Sequence, residues 1–186
     1  MNKNRFIVIA GFIFIAALSR ILPHPPNFAP IVGMSLFGAA YMSNKKWAFA
    51  MPLIAMFLSD LIINNTIYAS YYGSFKLFTE DFFWVYLPII AIVGLGFILF
   101  KKVSTTRVLA GSLTASVLFF IVSNLGVWIS SALYPPTIEG LMACYTAALP
   151  FFQNALLGDL FYAGIMFGAF ELASRKVPAL QLVPVK

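Results

Sequence analysis

Six apolar runs separated by short polar stretches dominate the pattern of the chain. They cover residues 6–22, 29–42, 47–63, 83–100, 108–131 and 147–170. A helix rises ~1.5 Å per residue, so roughly 17–25 apolar residues cross the hydrocarbon core of a bilayer. The second run is shorter than this, and the other five are long enough. The pattern predicts an all-α polytopic membrane protein, with six transmembrane helices in one bundle, a short second helix, and a single integral membrane domain over residues 1–186.

The basic residues predict how this bundle is oriented. In the six-helix topology only Arg20 and Lys76 fall on one side, and all other lysines and arginines fall on the opposite side. Those are Lys3, Arg5, Lys45, Lys46, Lys101, Lys102, Arg107, Arg175, Lys176 and Lys186. Cytoplasmic segments carry such an excess of basic residues. We therefore expect both termini in the cytoplasm of a prokaryotic cell, and the protein in its inner membrane. The net charge of +6 is then explained by the basic residues that set the orientation in the membrane, and no nucleic-acid partner is predicted.

Composition agrees with a membrane protein. Hydrophobic residues make up 61% of the chain and charged residues 10%, with a mean hydropathy of +0.92. Soluble proteins carry roughly a quarter charged residues. The basic start and apolar centre of the first run imitate a signal peptide. Because the run continues through Ile21 and Leu22, we interpret it as the first helix.

Polar side chains enter the predicted helices from the outer side only. Arg20 and Asp60 lie near the outer ends of the first and third spans, and Asn124 and Asn154 lie in the outer parts of the last two. Asp159 lies near the middle of the last span. Such groups are costly in lipid and normally face a cavity or a partner. The pattern predicts a cavity that opens outward and closes below the membrane centre, whereas a channel would be polar along its whole length.

The connector between the first two spans predicts one wall of that cavity. The stretch 19–39 around this connector carries four of the eleven prolines, together with His24 and Asn27. Proline fixes a backbone angle and removes an amide donor, so this loop can hold one shape. The short second span lets it reach inward. The predicted substrate-binding residues are Arg20, His24, Asn27, Asp60, Asn124, Asn154 and Asp159.

Each of these residues also has a structural interpretation. Arg20 can extend to the interface or pair with Asp60, and His24 can be a solvent-exposed loop residue. Asp159 needs protonation or a partner at its depth. Cys144, the single cysteine, excludes an internal disulfide and a cysteine-rich metal site. It fits a buried small hydrophobic residue, or else a ligand, like His24, of a cobalt- or iron-containing cofactor. We predict no cofactor and no metal.

No enzymatic activity is predicted. Asp60 and Gly158-Asp159 resemble the two-aspartate arrangement of membrane aspartyl proteases, in which the carboxylates share a proton. The segment here is Leu156-Leu157-Gly158-Asp159, so the first glycine of GxGD is missing, and the two aspartates lie at different depths. The chain has no GxSxG or HExxH sequence.

The segment RILPHPPNFAPIVG at 20–33, followed by SLFGAA at 35–40, resembles a family of uncharacterised prokaryotic transport membrane proteins (DUF6580-like). In architecture the chain is similar to S components of energy-coupling-factor (ECF) transporters. That resemblance implies uptake of a small solute, such as a vitamin or other micronutrient, with a membrane coupling protein and ATPase subunits as partners. The AxxxA face that many S components carry on helix 1 is absent here.

Two hypotheses for the function follow. The first is a substrate-binding membrane subunit whose site opens to the outer face. The alternative is a structural or accessory subunit of a larger membrane complex. Its docking surfaces would be small-residue pairs, Gly164 with Gly168 and Gly111 with Ala115.

Overall fold

The computed structural model describes residues 2–181, and every regular element within them is helical. Met1 and residues 182–186, which include Lys186 of the predicted basic side, lie outside the described residues. The helices are α1 Lys3–Leu18, α2 Ile31–Tyr41, α3 Lys45–Thr66, α4 Ala69–Tyr72, α5 Phe82–Leu99, α6 Thr105–Ser130 and α7 Ile138–Lys176. Short 3₁₀ turns follow α1 at Ser19–Ile21 and α7 at Pro178–Leu180.

Five helices are long and apolar enough to cross a membrane: α3, α5, α6, α7, and α1 together with its 3₁₀ turn. The sixth apolar helix, α2, has 11 residues and covers about 16 Å, which is too short for a full crossing. The prediction of an all-α fold is confirmed for the described residues, and five to six of their apolar helices could span a membrane. The count of six crossings stays a prediction. The cytoplasmic position of the termini stays a prediction.

The short helix α2 forms the centre of the bundle. It packs against α3, α5 and α7, and also contacts α1 and α6. Because it is surrounded on all sides, every residue from Val32 to Ala39 is buried, as expected of a helix that is apolar all round. At its C-terminal end Phe37 and Tyr41 pack against Phe167 and Phe170 of α7.

The two ends of the bundle differ in charge. The starts of α1, α3 and α6 and the ends of α2, α5 and α7 lie together at one end, which we call the basic end. The opposite end, formed by residues 22–30, 67–81 and 131–137, is called the loop end. At the basic end Arg5 is buried, and its Nη1 donates to the carbonyl of Leu180 at 2.5 Å. Beside it the Tyr41 hydroxyl donates to Glu171 Oε1 at 2.5 Å.

The last helix is longer than its apolar run predicts. α7 begins at Ile138 instead of 147 and ends at Lys176 instead of 170. The connection between α6 and α7 is correspondingly reduced to residues 131–137. The early start is explained by the Thr137 side chain, which caps the helix by accepting from Gly140 N. From there the helix continues through Pro150 without a break. With 39 residues, α7 is about 58 Å long and exceeds the bilayer thickness.

Candidate functional site

An ion pair lies at the loop end between the first 3₁₀ turn and α3. Arg20 Nη2 lies 2.7 Å from Asp60 Oδ1, and the two side chains are 14% and 22% exposed. Arg20 Nη1 also donates to Ser59 Oγ at 2.5 Å and approaches Met56 Sδ at 3.1 Å. Of the two sequence-based interpretations of Arg20, the structure supports pairing with Asp60.

The other carboxylate oxygen of this pair is held by α5. The Tyr86 hydroxyl donates to Asp60 Oδ2 at 2.7 Å. Tyr86 is itself buried and stacks on Phe82, with ring centroids 4.0 Å apart. Asp60 is thus held on both oxygens by groups from two other elements, which fixes the position of its charge.

Asp159 is buried among different partners. It is 5% exposed, and Ser116 Oγ of α6 donates to its Oδ2 at 2.6 Å. The backbone amide of Val32, in the first turn of α2, lies beside this carboxyl group. The first amides of a helix have no partner within the helix and favour negative charge. Asp159 therefore closes the N-terminus of α2 inside the bundle.

The proline-rich connector is seated on α7 beside this carboxyl group. A Cβ on Gly158 would lie 3.0 Å from both Ala29 N and Phe28 Cα, so the two backbones are in close contact. Phe28 packs against Phe161 and Tyr162, and Ser19 Oγ lies 2.8 Å from the Tyr162 hydroxyl. These contacts bring Arg20–Asp60 and Asp159 to the same region, around the N-terminus of α2.

His24 and Asn27 lie in the exposed part of the connector. His24 Nδ1 is 2.9 Å from the Pro25 carbonyl, and Nε2 is 3.2 Å from that of Arg20. Phe28 N donates to Pro25 O at 3.1 Å, and Asn27 has a φ of 63°. Proline second and a positive φ third are typical of a type II turn. The structure thus gives Asn27 a backbone role in the turn.

Replacing Asn27 tests this turn. Asn27→Gly is expected to leave the free energy of unfolding nearly unchanged, whereas Asn27→Ala should lower it by about 1 kcal/mol, because a Cβ residue is strained at positive φ. Unfolding in mixed micelles of increasing SDS content measures both. If the glycine variant lost as much as the alanine variant, the amide side chain would have a role beyond the turn.

The remaining predicted residues lie apart from the ion pair. Asn124 Nδ2 bonds the Phe120 carbonyl one turn earlier in α6, and the Asn124 carbonyl receives Cys144 Sγ at 3.5 Å. Cys144 is buried, whereas His24 is exposed, and among the described residues no group of three or more metal-ligating side chains occurs. Asn154 is half-buried on α7.

Several contacts of the site were not predicted from the sequence. Tyr86 bonds Asp60, Ser116 bonds Asp159, and Ser59 bonds Arg20. The two aspartates therefore have separate partners and do not form the shared-proton arrangement of the protease hypothesis. The sequence did contain a signal for Ser116. Ser112 and Ser116 are four residues apart in an apolar helix, so they lie on one face and mark a polar side of that helix. No pattern in the sequence indicated that Tyr86 would contact Asp60.

Three cavities lie at the basic end. The first, of about 350 Å³, separates α6 from α7. A shallow one of about 700 Å³ lies between Asn2 and Trp47, and a third of about 280 Å³ lies beside Arg5 and Glu171. The outward-opening pocket expected from the sequence is not one of these three. At the loop end the connector covers α7, as described above.

Comparison with known proteins gives one match. A family model described as "Family of unknown function (DUF6580)" matches residues 1–180. No curated protein and no solved structure matches the chain.

Proposed function

The chain belongs to the DUF6580 family of unknown function, and we propose that this protein is a membrane-embedded solute-binding subunit for uptake of a small polar solute. The solute class we propose is a vitamin or other micronutrient, and the site faces the loop end. The Arg20–Asp60 pair carries this proposal. The topology predicted from the sequence, which resembles that of S components of ECF transporters, is the reason for the proposed class of solute.

The pair has properties expected of a binding site. Both side chains are partly exposed at the loop end, in a bundle whose interior is otherwise mostly apolar. An ion pair in such surroundings adds little stability compared with apolar packing. A cation and an anion held 2.7 Å apart can instead exchange their mutual contact for the polar groups of a solute.

One end of the bundle is covered and the other has an open cleft, as expected of a carrier that works by alternating access. The connector is packed onto α7 through Gly158 and Phe28, which covers the region above α2. At the opposite end the cleft between α6 and α7 is open. This is the arrangement expected when a carrier is closed toward the side from which it takes its solute.

The alanines of α1 limit where a coupling partner could dock. Ala10, Ala16 and Ala17 are all buried within the bundle. A coupling protein would have to dock elsewhere, so we propose that any ATPase-linked partner contacts a surface other than a small-residue face of α1.

The test is native mass spectrometry of the protein purified gently from its own membrane. We expect a small molecule to accompany the wild-type chain and to be lost in Arg20→Ala and Asp60→Ala, because each variant removes one charge of the pair. Circular dichroism shows whether each variant keeps its helical content.

Lys76→Ala is the matched control. Lys76 is the other basic residue on the loop side, and it contacts the ring of Tyr72, with Nζ 5.6 Å from the centroid. This variant removes the same charge and should retain the small molecule. Equal retention in all four proteins would contradict the proposed site.

The second candidate function is an accessory subunit of a larger complex. The observation in its favour is that Cβ atoms on Gly164 and Gly168 would meet nothing within 4 Å, so this pair is not used for packing within the chain. A stoichiometric protein partner without a small molecule in the same mass spectra would favour this candidate.

A further inference from the structure

The cleft between α6 and α7 runs from the basic end toward the membrane centre. Its mouth is formed by Ser104, Thr105, Glu171 and Arg175. Its deep end is formed by Ser112, Leu160, Ala163 and Gly164. Its volume of about 350 Å³ is several times the roughly 30 Å³ that one water molecule occupies in the liquid. Polar groups at its mouth and at its floor could hold water.

Ser112 at the floor has an unsatisfied hydroxyl. Its side chain is fully buried, and its Oγ has no hydrogen-bond partner among the described residues. Buried polar groups are nearly always paired, with protein or with ordered water, and an unpaired one costs about 1–3 kcal/mol. The hydroxyl is closed to solvent in this arrangement, so a water molecule from the cleft would supply the missing partner after a small separation of α6 and α7.

One helical turn beyond Ser112 lies Ser116, which connects this floor to Asp159. Ser116 Oγ is 2.6 Å from Asp159 Oδ2 and 2.8 Å from the Ser112 carbonyl. A hydroxyl has one proton to donate, so it can serve only one of these two acceptors at a time.

This pair of acceptors accommodates Asp159 in either protonation state. When Asp159 is ionised, Ser116 donates to its Oδ2. When Asp159 is protonated, its own O–H can donate to Ser116 Oγ, and Ser116 then donates to the Ser112 carbonyl. Burial opposes the charge, and the N-terminus of α2 favours it. Within residues 2–181, no charged side chain forms a hydrogen bond or ion pair with this carboxyl group from α2, α6 or α7.

We propose that Asp159 is a proton-binding site that exchanges its proton with water at the basic end through the α6–α7 cleft. The proton moves from a hydronium ion in the cleft to the carboxylate, which leaves water and a neutral carboxylic acid. The reverse step returns it. The mouth of the cleft lies at the opposite end of the bundle from the proposed solute site, and the test of the proton site needs no solute.

The first experiment measures whether water reaches the floor of the cleft. Ser112→Cys and Gly168→Cys are placed in a Cys144→Ala background and reconstituted in nanodiscs, where both faces of the membrane are open. A charged thiol reagent is expected to label both at least about tenfold faster than a control cysteine in lipid, because a thiol in apolar surroundings ionises poorly.

Gly94→Cys in α5 is the matched control. A Cβ at Gly94, as at Gly168, would meet nothing within 4 Å, and α5 is an apolar spanning helix. If Ser112→Cys reacts with an apolar reagent but not with the charged one, the cleft is filled by lipid and the proposal is overturned. Failure with both reagents also overturns it.

The second experiment detects the proton directly. Infrared difference spectra between about pH 4 and about pH 10 should contain a carboxylic acid carbonyl band that is absent from Asp159→Asn. Filling the cleft with Gly164→Leu and Gly168→Leu together should slow hydrogen–deuterium exchange at this band several-fold, and Gly94→Leu should not. Absence of an Asp159 band, or exchange that is equal in all variants, would contradict the proposal.

Discussion

Replacing Asp159 by alanine is expected to lower the free energy of unfolding by about 2–3 kcal/mol, because a buried donor left without its acceptor costs about 1–3 kcal/mol and charge-assisted bonds cost more. The Ser116 hydroxyl would lose its acceptor, and the Val32 backbone amide would lose the carboxyl group beside it. Ser116 can turn to the Ser112 carbonyl, 2.8 Å away. The first turn of α2 has no such replacement, and it lies in the bundle interior, where water is scarce.

Asp159→Asn is the control for this prediction. It keeps one acceptor oxygen, so it should lose less than half as much stability as the alanine variant. The measurement is unfolding in mixed micelles of increasing SDS content, followed by tryptophan fluorescence. An alanine variant as stable as the wild type would show that Asp159 does not hold α2. An asparagine variant as damaging as alanine would show that the charge itself is needed.

The sequence predicts most of the fold because lipid imposes a simple rule. A spanning segment must satisfy its own backbone and must be apolar, so the runs 6–22, 47–63 and 83–100 all correspond to helices. The rule does not predict where a helix leaves the membrane. The start of α7 at Ile138 depends on the Thr137 cap, a local contact that an apolar run does not reveal.

The partners of the site residues could not be predicted for a related reason. In α5 and α6 the side facing lipid is as apolar as the side facing the bundle, as expected where association does not depend on burial of apolar surface from water. The sequence therefore does not show how each helix is rotated. Asp60 and Asp159 are recognisable as polar residues in apolar runs, but Tyr86 and Ser116 become their partners only through that rotation.

Replacing Gly158 by valine is expected to lower the free energy of unfolding by about 2–3 kcal/mol, within the range known for overpacked interiors. The neighbours of the new Cβ would be backbone atoms of Phe28 and Ala29, at 3.0 Å. They cannot rotate away as a side chain can. The connector would have to lift from α7, and amide hydrogen exchange over residues 28–34 should rise.

Gly164→Val is the matched control in the same helix. It carries the same cost of a β-branched residue, but its Cβ meets nothing within 4 Å, so stability and exchange should change little. Equal losses at Gly158 and Gly164 would mean that the helix, and not the connector contact, determines the effect.

Combining Gly158→Val with Asp159→Ala gives a sharper test of the same contact. Lifting the connector also displaces the start of α2, which is the group that Asp159 holds. Contacting residues couple by about 0.5–3 kcal/mol, whereas independent sites are additive. The double variant is therefore expected to lose less stability than the sum of the two single losses. If the two losses of stability were strictly additive, the contact of the connector with α7 and the N-terminus of α2 would be independent. The loop end could then open without disturbing Asp159.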